Sequence, residues 1–140
     1  TPLDVFDYRY TIGSGKNSHT YNQTIASATL NENLPRFSLG PEYFFHKIGN
    51  IFGYKDIDFD NYPVFSKKYL LRGKDETEIR KIFKPEVLTY LENQKNKINI
   101  ESDGKKIIYY KLSRRIKPHE LSSFLEEAIK IIKMFDRSEF

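Results

Sequence analysis

Polar and apolar residues alternate near the start of the chain. Phe6, Tyr8, Tyr10 and Ile12 fall on one face, and Asp7, Arg9 and Thr11 on the other. A period of two marks a half-buried β-strand over residues 5–12. Gly13 to Ser18 is a polar, glycine-bearing connection. Residues 19–30 read as a second strand that pairs back as a hairpin. The connection is longer than a tight turn, so its tip is expected to move.

Asn31 to Gly40 reads as irregular. Pro41 suits the first position of a helix, with Glu42 in the first turn and Phe44, Phe45, Ile48, Ile51 and Phe52 at helical spacing before Gly53. Asp56 to Pro63 reads as extended or looped, and residues 64–72 as a third strand closed by Gly73. Asp75 with Glu78 forms a capping-box pattern ahead of an apolar stripe, Ile79, Ile82, Phe83, Val87, Leu88 and Leu91. Pro85 interrupts that stripe, so the helix kinks there or a second one begins. Residues 97–101 and 106–112 flank Ser102-Asp103-Gly104-Lys105, a hairpin turn signal. Pro118 opens a last helix with Leu121, Phe124, Leu125, Ala128, Ile129, Ile132 and Phe135 on its apolar face. The order ββαβαββα predicts a two-layer α+β domain. An antiparallel sheet of about five strands is covered by helices on one face.

Composition changes this picture little. The 140 residues suit one domain, 1–140, with a core rich in Phe (11) and Tyr (10). No cysteine is present, which excludes disulfides, thiolate metal sites and thiol nucleophiles. The net charge of +4 permits contact with phosphate or anionic lipid without demanding it. No apolar run reaches the roughly 18 residues of a membrane span, and no signal peptide is visible. The chain starts on Thr1 close to a strand, which suggests a domain excised from a longer protein.

Candidate chemistry is sparse. Gly13-Ser14-Gly15-Lys16 looks like the end of a phosphate-binding loop. However, Tyr10 and Asn17 occupy positions that need glycine and Ser or Thr, and no helix follows. Asp56, Asp58 and Asp60 resemble a calcium loop, but Asn61 and Lys67 stand where glycine and glutamate belong. The alternation with Ile57 and Phe59 reads instead as an edge strand with one wet face. His19, His46 and His119 lack metal-ligand spacing. No Gly-x-Ser-x-Gly elbow occurs, and Glu126 and Glu127, being adjacent on a helix, do not face each other. The sequon Asn22-Gln23-Thr24 falls on a strand and is discounted. No cofactor or metal is expected.

Two charged features remain. Lys105, Lys106, Lys111, Arg114, Arg115 and Lys117 form a basic run that contains Tyr109 and Tyr110. Such a run contacts an anionic surface or, weakly, single-stranded nucleic acid. The simpler reading is solvated charge that blunts a sheet edge. Arg36 and Glu42 lie among apolar neighbours, as in an ion pair across a turn. The sharper alternative is a ligand anion held near Arg9, Arg36 and His46.

Phe6-Asp7-Tyr8-Arg9-Tyr10-Thr11, Pro35-Arg36-Phe37-Ser38-Leu39, Pro41-Glu42, Asp56-Ile57-Asp58-Phe59 and Leu71-Arg72-Gly73 resemble a group of uncharacterised bacterial proteins. In that group such a domain often follows N-terminal membrane helices. The resemblance implies a tethered soluble domain and assigns no functional residue; the location expected is the cytoplasm or the cytoplasmic face of a bacterial inner membrane. The function expected is therefore a non-catalytic binding or interaction module, with an anionic membrane or another protein as partner and a homodimer open to it. The alternatives are a small-molecule binder or small enzyme around Arg9, Arg36 and His46, and a weak nucleic-acid binder.

Overall fold

A computed structural model describes residues 2–41, 56–111 and 114–136. Its strands are β1 (Leu3–Ile12), β2 (His19–Thr29), β3 (Phe37–Pro41), β4 (Tyr69–Arg72), β5 (Asn99–Ser102) and β6 (Lys106–Tyr110). Among the described residues the helices are α1 (Pro63–Lys68), α2 (Glu76–Ile82), α3 (Pro85–Glu92) and α4 (Leu121–Phe135). The strands form one six-stranded sheet in the order β1-β2-β6-β5-β3-β4. Every neighbouring pair is antiparallel. The α+β class and the antiparallel sheet agree with the sequence reading.

Several elements differ from expectation. Residues 37–41 are a strand, although they lack a clean alternation. Both faces of β3 are buried, so period two disappears from its sequence. Pro41, expected at the first helical position, is instead the last residue of that strand, opposite Tyr69. The remainder of the helix expected to Gly53 lies outside the described residues. The stretch 64–72 divides into α1 and β4, with Pro63 at the first helical turn. Pro85 likewise starts a separate helix, α3, and does not kink a single one.

Local signals elsewhere hold. The Asp75 carboxylate accepts a hydrogen bond from the Glu78 amide at 3.2 Å, capping α2. Gly104 takes a φ of +108° in the β5–β6 turn, where Asp103 Oδ1 accepts from the Lys105 and Lys106 amides. The longer β1–β2 connection holds a 3₁₀ turn, Gly15–Asn17. Another, Pro118–Glu120, leads into α4.

Opposed residues share a sheet face, so the registers assign both faces. One face carries Leu3, Val5, Ala26, Ala28, Tyr109, Ile107, Ile100, Phe37, Leu39, Leu71 and Tyr69. These residues form the main core with Phe65 of α1, Ile79 and Ile82 of α2, Leu88 and Leu91 of α3, and Phe124, Ala128 and Phe135 of α4. Ala26 and Ala28 let α4 approach β2 closely. The buried stripe of α4 includes Ile131, whereas Ile129, expected on the apolar face, is exposed.

Phe6, Tyr8 and Tyr10 occupy the opposite face, on which none of the described helices packs, since Phe6 opposes Ile25 and Tyr8 opposes Gln23. They are not the core face that their alternation suggested. Leu3 and Val5 pack toward the core in their place.

Candidate functional site

The sheet face opposite the described helices has two parts. The first is an aromatic strip on the β1–β2 hairpin. Strand β6 pairs with β2 only from Ala26 to Thr29, so the distal hairpin extends past the body of the sheet. Phe6 is 44% and Tyr8 48% exposed. The rings form a chain: Tyr8 to Tyr10 at 5.7 Å, Tyr10 stacked on Tyr21 at 5.1 Å, and Tyr21 edge-on to His19 at 4.4 Å. Large aromatics held side by side on two paired strands form a stiff contact surface with little rotamer entropy left to lose.

The second part is a polar centre nearer the middle of the sheet. Gln23, Ser27, Asn99, Glu101, Tyr110, Ser38 and Arg72 share this face by register. The Tyr110 hydroxyl donates to Glu101 Oε2. Burial pushes the Glu101 carboxyl up, opposed by that hydrogen bond. Tyr10 is pushed up to about 12, by burial first and then by its neighbours Tyr21 and Glu101. Burial, reinforced by Glu101, drives Tyr110 up as well. Both shifts favour the neutral, hydrogen-bonding form of these phenols. Ser38 Oγ and both amide atoms of Asn99 are fully buried and have no hydrogen-bond partner among the described residues.

A buried amide without partners is expensive, by about 1–3 kcal/mol per unsatisfied group. Leucine has the same branched outline as asparagine and no polar atoms to desolvate. Asn99→Leu is therefore expected to raise stability by about 1–2 kcal/mol. Chemical denaturation of the two proteins side by side measures this. A variant less stable than the parent would mean that the amide is satisfied in solution.

The residues singled out from sequence are dispersed. Arg9 opposes Asn22 in the distal hairpin. Arg36 lies just before β3, with its side chain 4.0 Å from a Cβ built on Gly104 in the β5–β6 turn. That turn lies at the Leu3 end of β1, because Leu3 opposes Ala28 and Ala28 opposes Ile107. Arg9 is farther along β1 by about 20 Å of extended chain. The two arginines do not meet, and His46 and Glu42 lie outside the described residues.

The basic run is not one patch. Lys111 pairs with Glu127 at 3.5 Å, Arg114 with Glu120 at 2.8 Å and Arg115 with Asp7 at 3.0 Å. Lys105 and Lys106 sit at the β5–β6 turn and Lys117 ahead of α4. Glu127 also accepts from Tyr109, on the helix side of the sheet, which ties α4 to β6.

Asp56 Oδ1 accepts from the Leu71 amide at 2.9 Å, and the Asp58 carbonyl accepts from Arg80 at 2.8 Å. Ile57 donates its amide to the Leu71 carbonyl at 2.7 Å, so this acidic stretch lies along β4, but it does not form the edge strand that its alternation suggested. Burial pushes Asp56 up to about 6. Among the described residues no group of three acids or histidines could hold a metal. None of their helices is long and apolar enough to cross a membrane.

Sequence reasoning missed Tyr21, Gln23, Ser38, Asn99, Glu101 and Tyr110 as members of one face. The alternation His19, Tyr21, Gln23, Ile25 in β2 was available as a signal. The others come together only through pairings between β6, β5 and β3, which no local pattern encodes. No protein-family model, no curated protein and no solved structure matches this chain.

Proposed function

We propose that the chain is a non-catalytic binding or interaction domain that makes contact through the aromatic strip of its β1–β2 hairpin. The observation that carries this reading is the exposure of Phe6 and Tyr8 beside the stacked pair Tyr10 and Tyr21, on a part of the sheet that none of the described helices covers. An exposed row of large rings costs solubility and gives the core nothing, so its use lies in contact with another surface. Tethering at a bacterial membrane belongs to the same reading through the resemblance, and the gene sequence upstream of Thr1 decides it.

The double variant Phe6→Ser/Tyr8→Ser tests the assignment. These rings are exposed, so their removal is expected to lower the melting temperature by no more than about 5 °C. A loss above about 10 °C, followed by circular dichroism, would make the strip part of the folding core and end the proposal.

A further inference from the structure

The outer edge of β1 carries the next step. Strand β1 is terminal in the sheet and pairs only with β2. It is 10 residues long. Among the described residues, no other segment hydrogen-bonds to its free backbone edge. Edge strands of this length are normally shortened, bulged or charged against pairing. The charges of this one are Asp4, near its start, and Asp7 and Arg9, which are of opposite sign and separated by a single residue. Two such strands run antiparallel about Tyr8 place each Asp7 opposite the second copy's Arg9. A charge pair that blocks other registers is complementary to itself in this one.

Resting on the interaction reading above, we propose that the domain forms a homodimer by antiparallel pairing of two β1 edges about Tyr8, making one continuous sheet. Tyr8 then opposes Tyr8, and Phe6 opposes Tyr10 of the second copy. The exposed rings of both hairpins merge into a single aromatic layer on the face opposite the described helices. On the other face Val5 opposes Thr11, and Arg9 reaches Asp7. Arg9 has no partner within its own chain among the described residues. Asp7 is already fixed by the Thr24 hydroxyl at 2.6 Å and by Arg115 at 3.0 Å. Both bonds favour the ionised carboxylate. Aromatic cross-strand pairs and opposite charges directly opposed are the pairs that stabilise antiparallel strands. Both occur here in the same register.

The chain contains no cysteine, so single-cysteine variants read the register directly. Directly opposed residues have Cα atoms about 4.5–5.5 Å apart, within disulfide reach. Under oxidised glutathione, Tyr8→Cys is expected to become a covalent dimer. Phe6→Cys or Tyr10→Cys alone should react at least roughly tenfold more slowly, because equivalent positions lie about 13 Å apart along the strands. A mixture of Phe6→Cys and Tyr10→Cys should cross-link as a heterodimer. Adding Arg9→Asp to Tyr8→Cys sets like charges opposite each other twice and should slow its cross-linking by roughly tenfold or more.

Analytical ultracentrifugation of the cysteine-free protein provides the second readout. A concentration-dependent dimer that Arg9→Asp dissociates supports the proposal. A monomer at all concentrations, or Tyr8→Cys reacting no faster than Phe6→Cys, overturns it, including the case in which the edge takes up a different extended chain. Those outcomes leave the interaction reading standing as long as Phe6→Ser/Tyr8→Ser folds normally, so the two failures are distinguishable.

Discussion

Phe83→Ala is expected to lower the folding free energy by about 4 kcal/mol, the largest loss from any single truncation in this core. Phe83 lies in the stretch that joins α2 to α3 and is almost fully buried. Its ring meets Phe37 of β3 edge-on at 5.2 Å, Phe135 of α4 at 5.2 Å and Phe65 of α1 at 6.3 Å. One side chain thus joins the sheet to the first and last helices. Truncation loses the transfer energy of the ring and leaves a cavity bounded by rigid aromatics that cannot collapse inward. Urea denaturation measures the loss through its midpoint, with an unchanged slope if the unfolded state is unaffected. A loss below about 1.5 kcal/mol would mean that the aromatic cluster is not the centre of the fold.

Gly73→Ala is expected to cost about 3 kcal/mol, although it adds one methyl group. A Cβ at this position would lie 2.6 Å from the Arg36 carbonyl oxygen and 2.3 Å from Ile79 Cδ1. The Ile79 contact could be relieved only by moving a fully buried side chain. The Arg36 contact is with backbone at the start of β3 and has no easy relief. The double variant Gly73→Ala/Ile79→Val separates the two clashes. It should recover part of the loss and leave the share due to Arg36. Full recovery would place the whole cost on the isoleucine.

Gly73 was legible as a stop signal after a strand, but the reason for it was not. The close approach involves Arg36, far away in sequence, and follows from β3 and β4 being neighbours. The capping of α2 by Asp75 and the β5–β6 turn at Gly104 were readable, because each is decided within a few residues by a side-chain oxygen or a positive φ. Strand β3 was not, because burial on both faces erases alternation. The candidate site shows the same division. The aromatic row in β1 was visible as a pattern, yet its side of the sheet was assigned wrongly. Alternation separates two faces without saying which one the helices cover. The proposed grouping of Arg9 with Arg36 took its support from residue type alone, and the strand order keeps them apart.

The linear order of residues was enough to establish an α+β class, the hairpins, the caps and the absence of thiol chemistry. Each of these depends on periodicity, local backbone preference or composition, which act over a few neighbouring residues. Tertiary pairing decided the remainder. It set six strands in the order β1-β2-β6-β5-β3-β4, gathered a polar centre from strands distant in sequence, and left β1 at the margin with its rings outside the core. The physical reason is that helix α4 packs where β2 offers Ala26 and Ala28, and that one choice commits the register-linked residues of both hairpin strands to the opposite face.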